Sequence, residues 1–360
     1  MRGLCLILFG VLVSGNDALE WKSLRPLDFQ FQAIEAKDVF LSRCNQVLAV
    51  DSKFLLRGTM DPIIVVINEQ GSVLQEIGGS RGEGPGEFMF GIRGMASSGD
   101  LLYAWDSTRD KVVVFKHGDF SAEFKTMSSS SDRSSASPIA ANGATLVIST
   151  GGVGGFLGMA YRDGVFQKMV GPVSLLQEAI QKINRLSSAP IDPNSKLWQY
   201  FFDSLWTFDQ GHFYALSRYY PLLFQFDDAL SFQRALPLPI DEAYYHFDEV
   251  FAREAIRSGE KTAVRFFIDF QVKDGTLYLL SQLKLNCTFF QVNLQRGTVD
   301  KRTAFLARES DLFSDLKTKM DSDESIKVCM DYFRVLDSGA ILLGSTFSYW
   351  DHDCWVAENE

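Results

Sequence analysis

The chain has 360 residues, with 45 acidic against 35 basic side chains, a formal charge of −10 and a pI near 5.0. That balance excludes nucleic acid and anionic membrane as bulk electrostatic partners. At 46% apolar and 13% aromatic, with 30 Phe, the chain has the material for a large buried core, and its length suits one closed repeat domain as well as two ordinary ones.

The chain opens on Met1-Arg2, an apolar run from Leu4 to Val13, and small residues at Val13-Ser14-Gly15 ahead of Asn16. This is the layout of a secretory signal peptide over residues 1–15, and the run is too short to be an integral membrane anchor. The competing reading is a buried first strand. Export places the mature protein in the periplasm or outside the cell. Cleavage would remove Cys5 and leave Cys44, Cys287, Cys329 and Cys354, which allow three pairings or stay as free thiols. No CxxC or Cys/His cluster announces a zinc site.

Next comes Asp28-Phe29-Gln30-Phe31-Gln32-Ala33, which alternates with period two and reads as a strand with no partner nearby in sequence. Hairpin signals then recur six times, at Arg43-Cys44-Asn45, Ser98-Gly99-Asp100, Ala141-Asn142-Gly143, Asp209-Gln210-Gly211, Lys273-Asp274-Gly275 and Asp337-Ser338-Gly339. Each is followed by an apolar strand that closes on a small polar residue: Asp51, Asp106, Ser149, Ser217, Ser281 and Ser345. The steps between those residues are roughly 55, 43, 68, 64 and 64 residues, which suits propeller blades carrying insertions better than a strict solenoid. Third strands are expected at Ile63–Ile67, Lys111–Phe115, Leu222–Phe226 and Thr288–Val292. Reversals are expected near Gln70-Gly71, His117-Gly118, Asp163-Gly164, Asp227-Asp228 and Arg296-Gly297. Four antiparallel strands per unit predict an all-β, six-bladed β-propeller forming a single domain over residues 19–360. After Cys354-Trp355-Val356-Ala357 the last repeat lacks a fourth strand, so the strand at 28–33 is expected to join that blade and close the ring.

Helical insertions are expected between the later blades. Residues 172–188, with Pro172 at the head, 241–257 and 309–320 each carry apolar residues at helical spacing. If all three sit over one mouth of the channel, they form a partial lid. The Ser-rich stretch 128–135 reads as a flexible crossing.

The most distinctive local motif is Gly78-Gly79-Ser80-Arg81-Gly82-Glu83-Gly84-Pro85-Gly86-Glu87-Phe88. It lacks the Gly-Lys-Ser/Thr of a phosphate loop and leads into a strand rather than a helix, so it is expected to be a compact bend between blades anchored by Phe88. The segment GEGPGEF followed by LLYAWDSTRDKVVVF is similar to the NHL-type repeat of six-bladed β-propellers, and resembles the exported bacterial group described as six-bladed β-propeller proteins. Leu102, Tyr103, Asp106, Arg109, Val112, Val114 and Phe115 carry the match, which covers residues 44 to 120. Later repeats put Ser149, Ser217, Ser281 and Ser345 where the pattern has Asp. The resemblance implies the fold, and the family includes scaffolds, binders and some enzymes.

In a propeller the first-to-second and third-to-fourth turns lie on one face, and the second-to-third loops and blade crossings on the other. The second face is expected to gather the candidate site: Arg81, Glu83, Asp106, Arg109, Asp351 and His352. Asp106 has a plainer role as an acceptor for its own loop, with Arg109 pairing locally. Asp351-His352-Asp353 offers metal-ligand atoms, but neighbouring strand residues point to opposite sides. No GxSxG, HExxH or His-based triad is found around His117, His212, His246 and His352. These readings point to a monomeric, non-enzymatic binding or scaffold protein that needs no cofactor or metal and takes a protein, peptide or glycan on its central face. The alternative is a lactonase-like hydrolase or lyase using a divalent cation such as calcium.

Overall fold

The computed structural model describes residues 6–12, 29–35, 44–50, 53–58, 64–68, 72–78, 81–89, 92–127, 138–151, 155–172, 203–245, 266–283, 286–306, 328–335 and 341–347. Among the described residues strands follow one another with almost no helix between them, and strands within a sheet pair antiparallel. Five sheets of four strands each come from one stretch of chain. The first holds β3 (Cys44–Val50), β4 (Lys53–Gly58), β5 (Ile64–Asn68) and β6 (Val73–Ile77). The second holds β7 (Gly94–Ser98), β8 (Leu101–Asp106), β9 (Lys111–Lys116) and β10 (Asp119–Lys125). The third holds β11 (Ile139–Asn142), β12 (Thr145–Ser149), β13 (Phe156–Arg162) and β14 (Val165–Pro172). The fourth holds β15 (Ser204–Asp209), β16 (His212–Ser217), β17 (Leu222–Asp227) and β18 (Phe232–Pro237). The fifth holds β19 (Phe267–Lys273), β20 (Thr276–Leu283), β21 (Asn286–Asn293) and β22 (Thr298–Leu306).

These are the blades of a β-propeller, and the number formed from consecutive strands is five, where the sequence reading expects six. A further four-stranded sheet is composite. Its inner pair is β23 (Val328–Val335) and β24 (Ile341–Phe347), and its outer pair is β1 (Leu6–Leu12) and β2 (Phe29–Glu35), in the order β2-β1-β24-β23. The strand expected at 28–33 does join the sheet of the last repeat, but it pairs with β1, and β1 pairs with β24. The run read as a signal peptide is thus placed here as a strand. Residues 354–357 lie outside the described residues.

Two-residue turns explain the tight hairpins. His117-Gly118, Asp163-Gly164, Gln210-Gly211 and Asp274-Gly275 all have positive φ at both positions, the geometry whose twist matches the flanking strands. The first hairpin corrects the sequence reading. Cys44 and Asn45 are not a turn but the start of the innermost strand, which pairs with β4 through to Val50 opposite Lys53. The unbroken apolar run Val47–Val50 gives no alternation from which to fix its phase. Pro172, expected to head a helix, is the last residue of β14 and pairs with Phe156. Of the three helical insertions, only α1 (Asp241–Tyr245) belongs to the described residues; 173–188, 246–257 and 309–320 lie outside them, as does the proposed lid. Among the described residues no helix is long and apolar enough to cross a membrane.

Burial follows strand position. Third strands such as β9 and β17 are buried almost throughout, while outermost β10 is exposed along most of its length. The core therefore lies between sheets. Leu55, Val66, Phe88, Met95, Leu102 and Phe115 join the first to the second. Tyr103, Trp105, Ile139, Ile148 and Tyr161 join the second to the third. Trp206, Phe213, Phe224 and Leu157 join the third to the fourth, and Leu205, Leu216, Phe267 and Phe290 the fourth to the fifth. The Phe289 and Phe333 rings meet edge-on at 5.0 Å, joining the fifth to the composite sheet. The innermost strands β3, β7, β11, β15, β19 and β23 lie side by side in that order, and β23 returns to β3.

Phe88 is fully buried between two sheets, whereas Phe120 is 46% exposed. Phe88→Ala is expected to cost about 3–5 kcal/mol of unfolding free energy, by transfer and cavity terms together, and Phe120→Ala about 0.5 kcal/mol. Paired chemical denaturation curves measure both.

Candidate functional site

The glycine-rich motif forms a closed joint on the second blade. The Gly82 N–H donates to Phe88 O at 3.1 Å, the Glu87 N–H to Gly84 O at 3.1 Å, and the Gly84 N–H to Glu87 Oε2 at 2.8 Å. The Gly86 N–H donates to Glu123 Oε2 at 3.2 Å, and the Lys111 ammonium reaches that same oxygen at 3.0 Å and Gly84 O at 3.4 Å. Each of these four backbone donors is used inside the protein, so none of the four is left for a phosphate. Burial raises the Glu123 carboxyl, but the hydrogen bonds from Lys111 and Gly86 and the charges of Lys111 and Arg109 outweigh it and leave its pKa below the ordinary value.

Asp106 is completely buried. Its Oδ1 accepts from the N–H groups of Thr108 at 3.0 Å and Arg109 at 3.3 Å, and its Oδ2 from the Met89 N–H at 3.2 Å. Arg109 forms an ion pair with Glu83. The structure therefore brings Glu83, Asp106 and Arg109 together, with exposed Arg81 on the same loop, as parts of a joint whose polar groups largely face one another. Asp351 and His352 lie outside the described residues.

The cavity is elsewhere. It has a volume of about 310 Å³ and takes lining residues from β3, β7, β11, β15, β19 and β23. Arg81, Glu83, Asp106 and Arg109 are not among them. The lining residues on β15 and β19, Trp206–Asp209 and Phe270–Lys273, are the second halves of those strands and run to the first-to-second turns. These lining residues thus lie toward one face, whereas the sequence reading places its candidate residues on the other, that of the crossings and second-to-third loops.

Each innermost strand pairs on one side only, so its other edge turns unpaired N–H and C=O groups toward the cavity. Met95, Ile139, Trp206, Phe270 and Val272 belong to the inter-sheet clusters and bring mainly their strand edges to the wall. Part of this edge is satisfied across sheets. Gln46, fully buried, donates from Nε2 to Met95 O at 3.0 Å and accepts the Met95 N–H on Oε1 at 2.8 Å. Gln271 repeats the arrangement on Val335, accepting its N–H at 2.7 Å and donating to its O at 3.4 Å. Asp269, fully buried, accepts the Phe333 N–H at 3.0 Å and pairs with Arg334 at 2.6 Å. The sequence reading missed these clasps. Two of the three share a signal, a Gln directly ahead of Val in an otherwise largely apolar strand, at Gln46-Val47 and Gln271-Val272.

The remaining polar side chains of the wall are half-buried Ser97, Thr207, Asp209 and Lys273. Burial and the nearby Asp274 carboxylate raise the Asp209 pKa, against the Asp274 N–H and the charges of Lys273 and His212. Lys273 Nζ donates to Val335 O at 3.5 Å. The wall therefore combines donors and acceptors in fixed main-chain positions with the Asp209 carboxylate, the Lys273 ammonium and the Arg334 guanidinium, the last paired with Asp269, a surface for a polar ligand. Among the described residues no group of three His, Cys, Asp or Glu could hold a metal ion.

A protein-family model described as 6-bladed beta-propeller matches residues 11–132. No functionally curated protein matches the chain. Among solved structures, the chain is similar to a Bacteroides fragilis protein named as a candidate exported protein, with 10% identity, 95% of each chain covered and a TM-score of 0.49. A member of the DUF4221 family from Bacteroides vulgatus gives 8% identity, 85% of this chain, 92% of that chain and 0.46. Virginiamycin B lyase from Staphylococcus aureus gives 9%, 75%, 71% and 0.40.

A raised carboxyl pKa means that the folded state holds its proton more tightly than the unfolded state, so stability falls as pH rises through the window between the two values. Asp209→Asn is expected to raise the melting temperature at pH 7, with the gain vanishing below about pH 4, where the carboxyl is protonated in both states. Thermal melts of both proteins across that range measure it.

Proposed function

We propose that the chain is an exported, non-enzymatic binding protein, an NHL-type propeller in which the composite sheet serves as the sixth blade, and that its cavity takes one polar group of a protein, peptide or glycan ligand. The observation that carries this reading is a cavity to which all six innermost strands contribute lining residues. Its volume of about 310 Å³ is at the small end of ligand pockets and suits one sugar ring or one polar side chain rather than a whole macromolecule. Strand edges supply donors and acceptors, and Asp209 and Lys273 supply opposite charges at the mouth. Rigid main chain binds without the entropy loss of ordering side chains. Export rests on the leader-like residues 1–15.

Glycan and peptide arrays probed with the purified protein are expected to return a ligand. Calorimetry is then expected to show at least a ~10-fold loss of affinity for Lys273→Ala, a loss typical of one charged contact, and no change for Arg109→Ala. A loss for Arg109→Ala with none for Lys273→Ala would move the site back to the loop face. Stoichiometric tightly held calcium, with turnover of a lactone, would replace the binding reading with the metal-dependent hydrolase. Mass spectrometry of protein recovered from the producing cell is expected to find Asn16 at the amino terminus.

A further inference from the structure

The composite sheet differs from the other five in how its third place is filled. Elsewhere the strand after the second one in sequence returns to pair with it: β4 with β5, β8 with β9, β12 with β13, β16 with β17 and β20 with β21. β24 has β23 on one edge, and its other edge is taken by β1, with Leu6 opposite Ser345 and Gly10 opposite Ile341. We propose that this edge of β24 is an acceptor surface for residues 354–360 of the same chain, and that β1 holds it only until residues 1–15 are removed. The proposal rests on the export reading above.

Three observations support it. The first is strand direction. β1 runs antiparallel to both β24 and β2, and a chain returning from Phe347 must also run antiparallel to β24. Residues 354–360 can therefore replace β1 with every other strand keeping its place and direction. The second is reach. The link from Phe347 to residue 354 is residues 348–353, the same length as residues 150–155 between β12 and β13. The third is chemistry. Third strands in this protein are buried on both faces, as in β5 and β9, and such strands read as unbroken apolar runs. Leu6-Ile7-Leu8-Phe9 and Cys354-Trp355-Val356-Ala357 both have that character. A leader must be apolar for export, and this same property lets it sit where a third strand sits. Cleavage between β1 and β2 would separate the two, leaving β2 attached to the first blade through residues 36–43.

The test uses four proteins: the full chain made without export so that its leader is retained, the chain beginning at Asn16, and each of these lacking residues 351–360. Hydrogen exchange is read at the amides of Ile341 to Ser345, with β8 and β9 as internal controls. Slow exchange is expected in the first three proteins, and exchange faster by on the order of 100-fold in the fourth. If the fourth does not fold, melting temperatures decide, with a loss exceeding the sum of the two single truncations supporting the proposal and an additive loss overturning it. Fast exchange already in the chain beginning at Asn16, fast exchange on removing 351–360 while the leader is present, or slow exchange in all four would each overturn it. Retention of Met1 in the cell would remove the trigger and the export reading, but would leave this competition for the edge measurable as stated.

Discussion

The unpaired edge of the innermost strands is the constraint on which the rest of the structure depends. A sheet of four strands has two edges. In this fold the outer edge faces water, but the inner edge faces five other inner edges across a narrow channel. Buried N–H and C=O groups left without partners cost about 1–3 kcal/mol each, so the channel is tolerable only where those groups find partners or water. Gln46, Gln271 and Asp269 meet that need by reaching from one inner strand to the main chain of the next. They are directional where the apolar contacts are not, so they also fix the vertical register of neighbouring sheets.

The same constraint distinguishes the cavity from the glycine-rich joint. In the joint the N–H groups of Gly82, Gly84, Gly86 and Glu87 and the Asp106 and Glu123 carboxylates have partners within the protein. That is what a structural element between two blades needs, and Phe88 adds the apolar anchor. At the cavity the clasps between sheets satisfy part of the edge, while Ser97, Thr207, Asp209 and Lys273 stand half-buried along the wall.

Much of this fold was legible in the sequence because its turns are chemically specific. Asp163-Gly164, Asp274-Gly275 and His117-Gly118 are reversals as read, with the positive φ that makes glycine useful there. Third strands such as Lys111–Lys116 and Leu222–Asp227 were found within a residue or two, because apolar runs between such turns have few other uses. The reading failed where that chemistry is missing. Cys44-Asn45 lies in a strand because Asn is compatible with both turn and strand, and nothing in Val47–Val50 fixes the phase. The role of Asp106 as acceptor for its own loop was readable from the repeat. The cavity was not, since its wall is mainly main chain, which any apolar strand supplies, and its polar residues are spread over strands far apart in sequence.

Two carboxylates show how the protein separates structure from site. Glu123 is held below its ordinary pKa because Lys111 and a main-chain N–H favour its charge, so ionisation and folding support one another above the carboxylate range, and that support is lost as pH falls through the lowered value. Asp209 goes the other way: burial and Asp274 disfavour its charge, and Lys273 and His212 only partly offset them. A chain selected for stability alone would place Asn or Thr there. Groups that oppose folding persist where they serve something else, and a carboxylate whose charge is under-compensated at the mouth of a cavity gains most from a ligand that brings a donor or a positive group to it. The cost in stability at Asp209 has one physical cause, a charge that burial and Asp274 leave under-compensated.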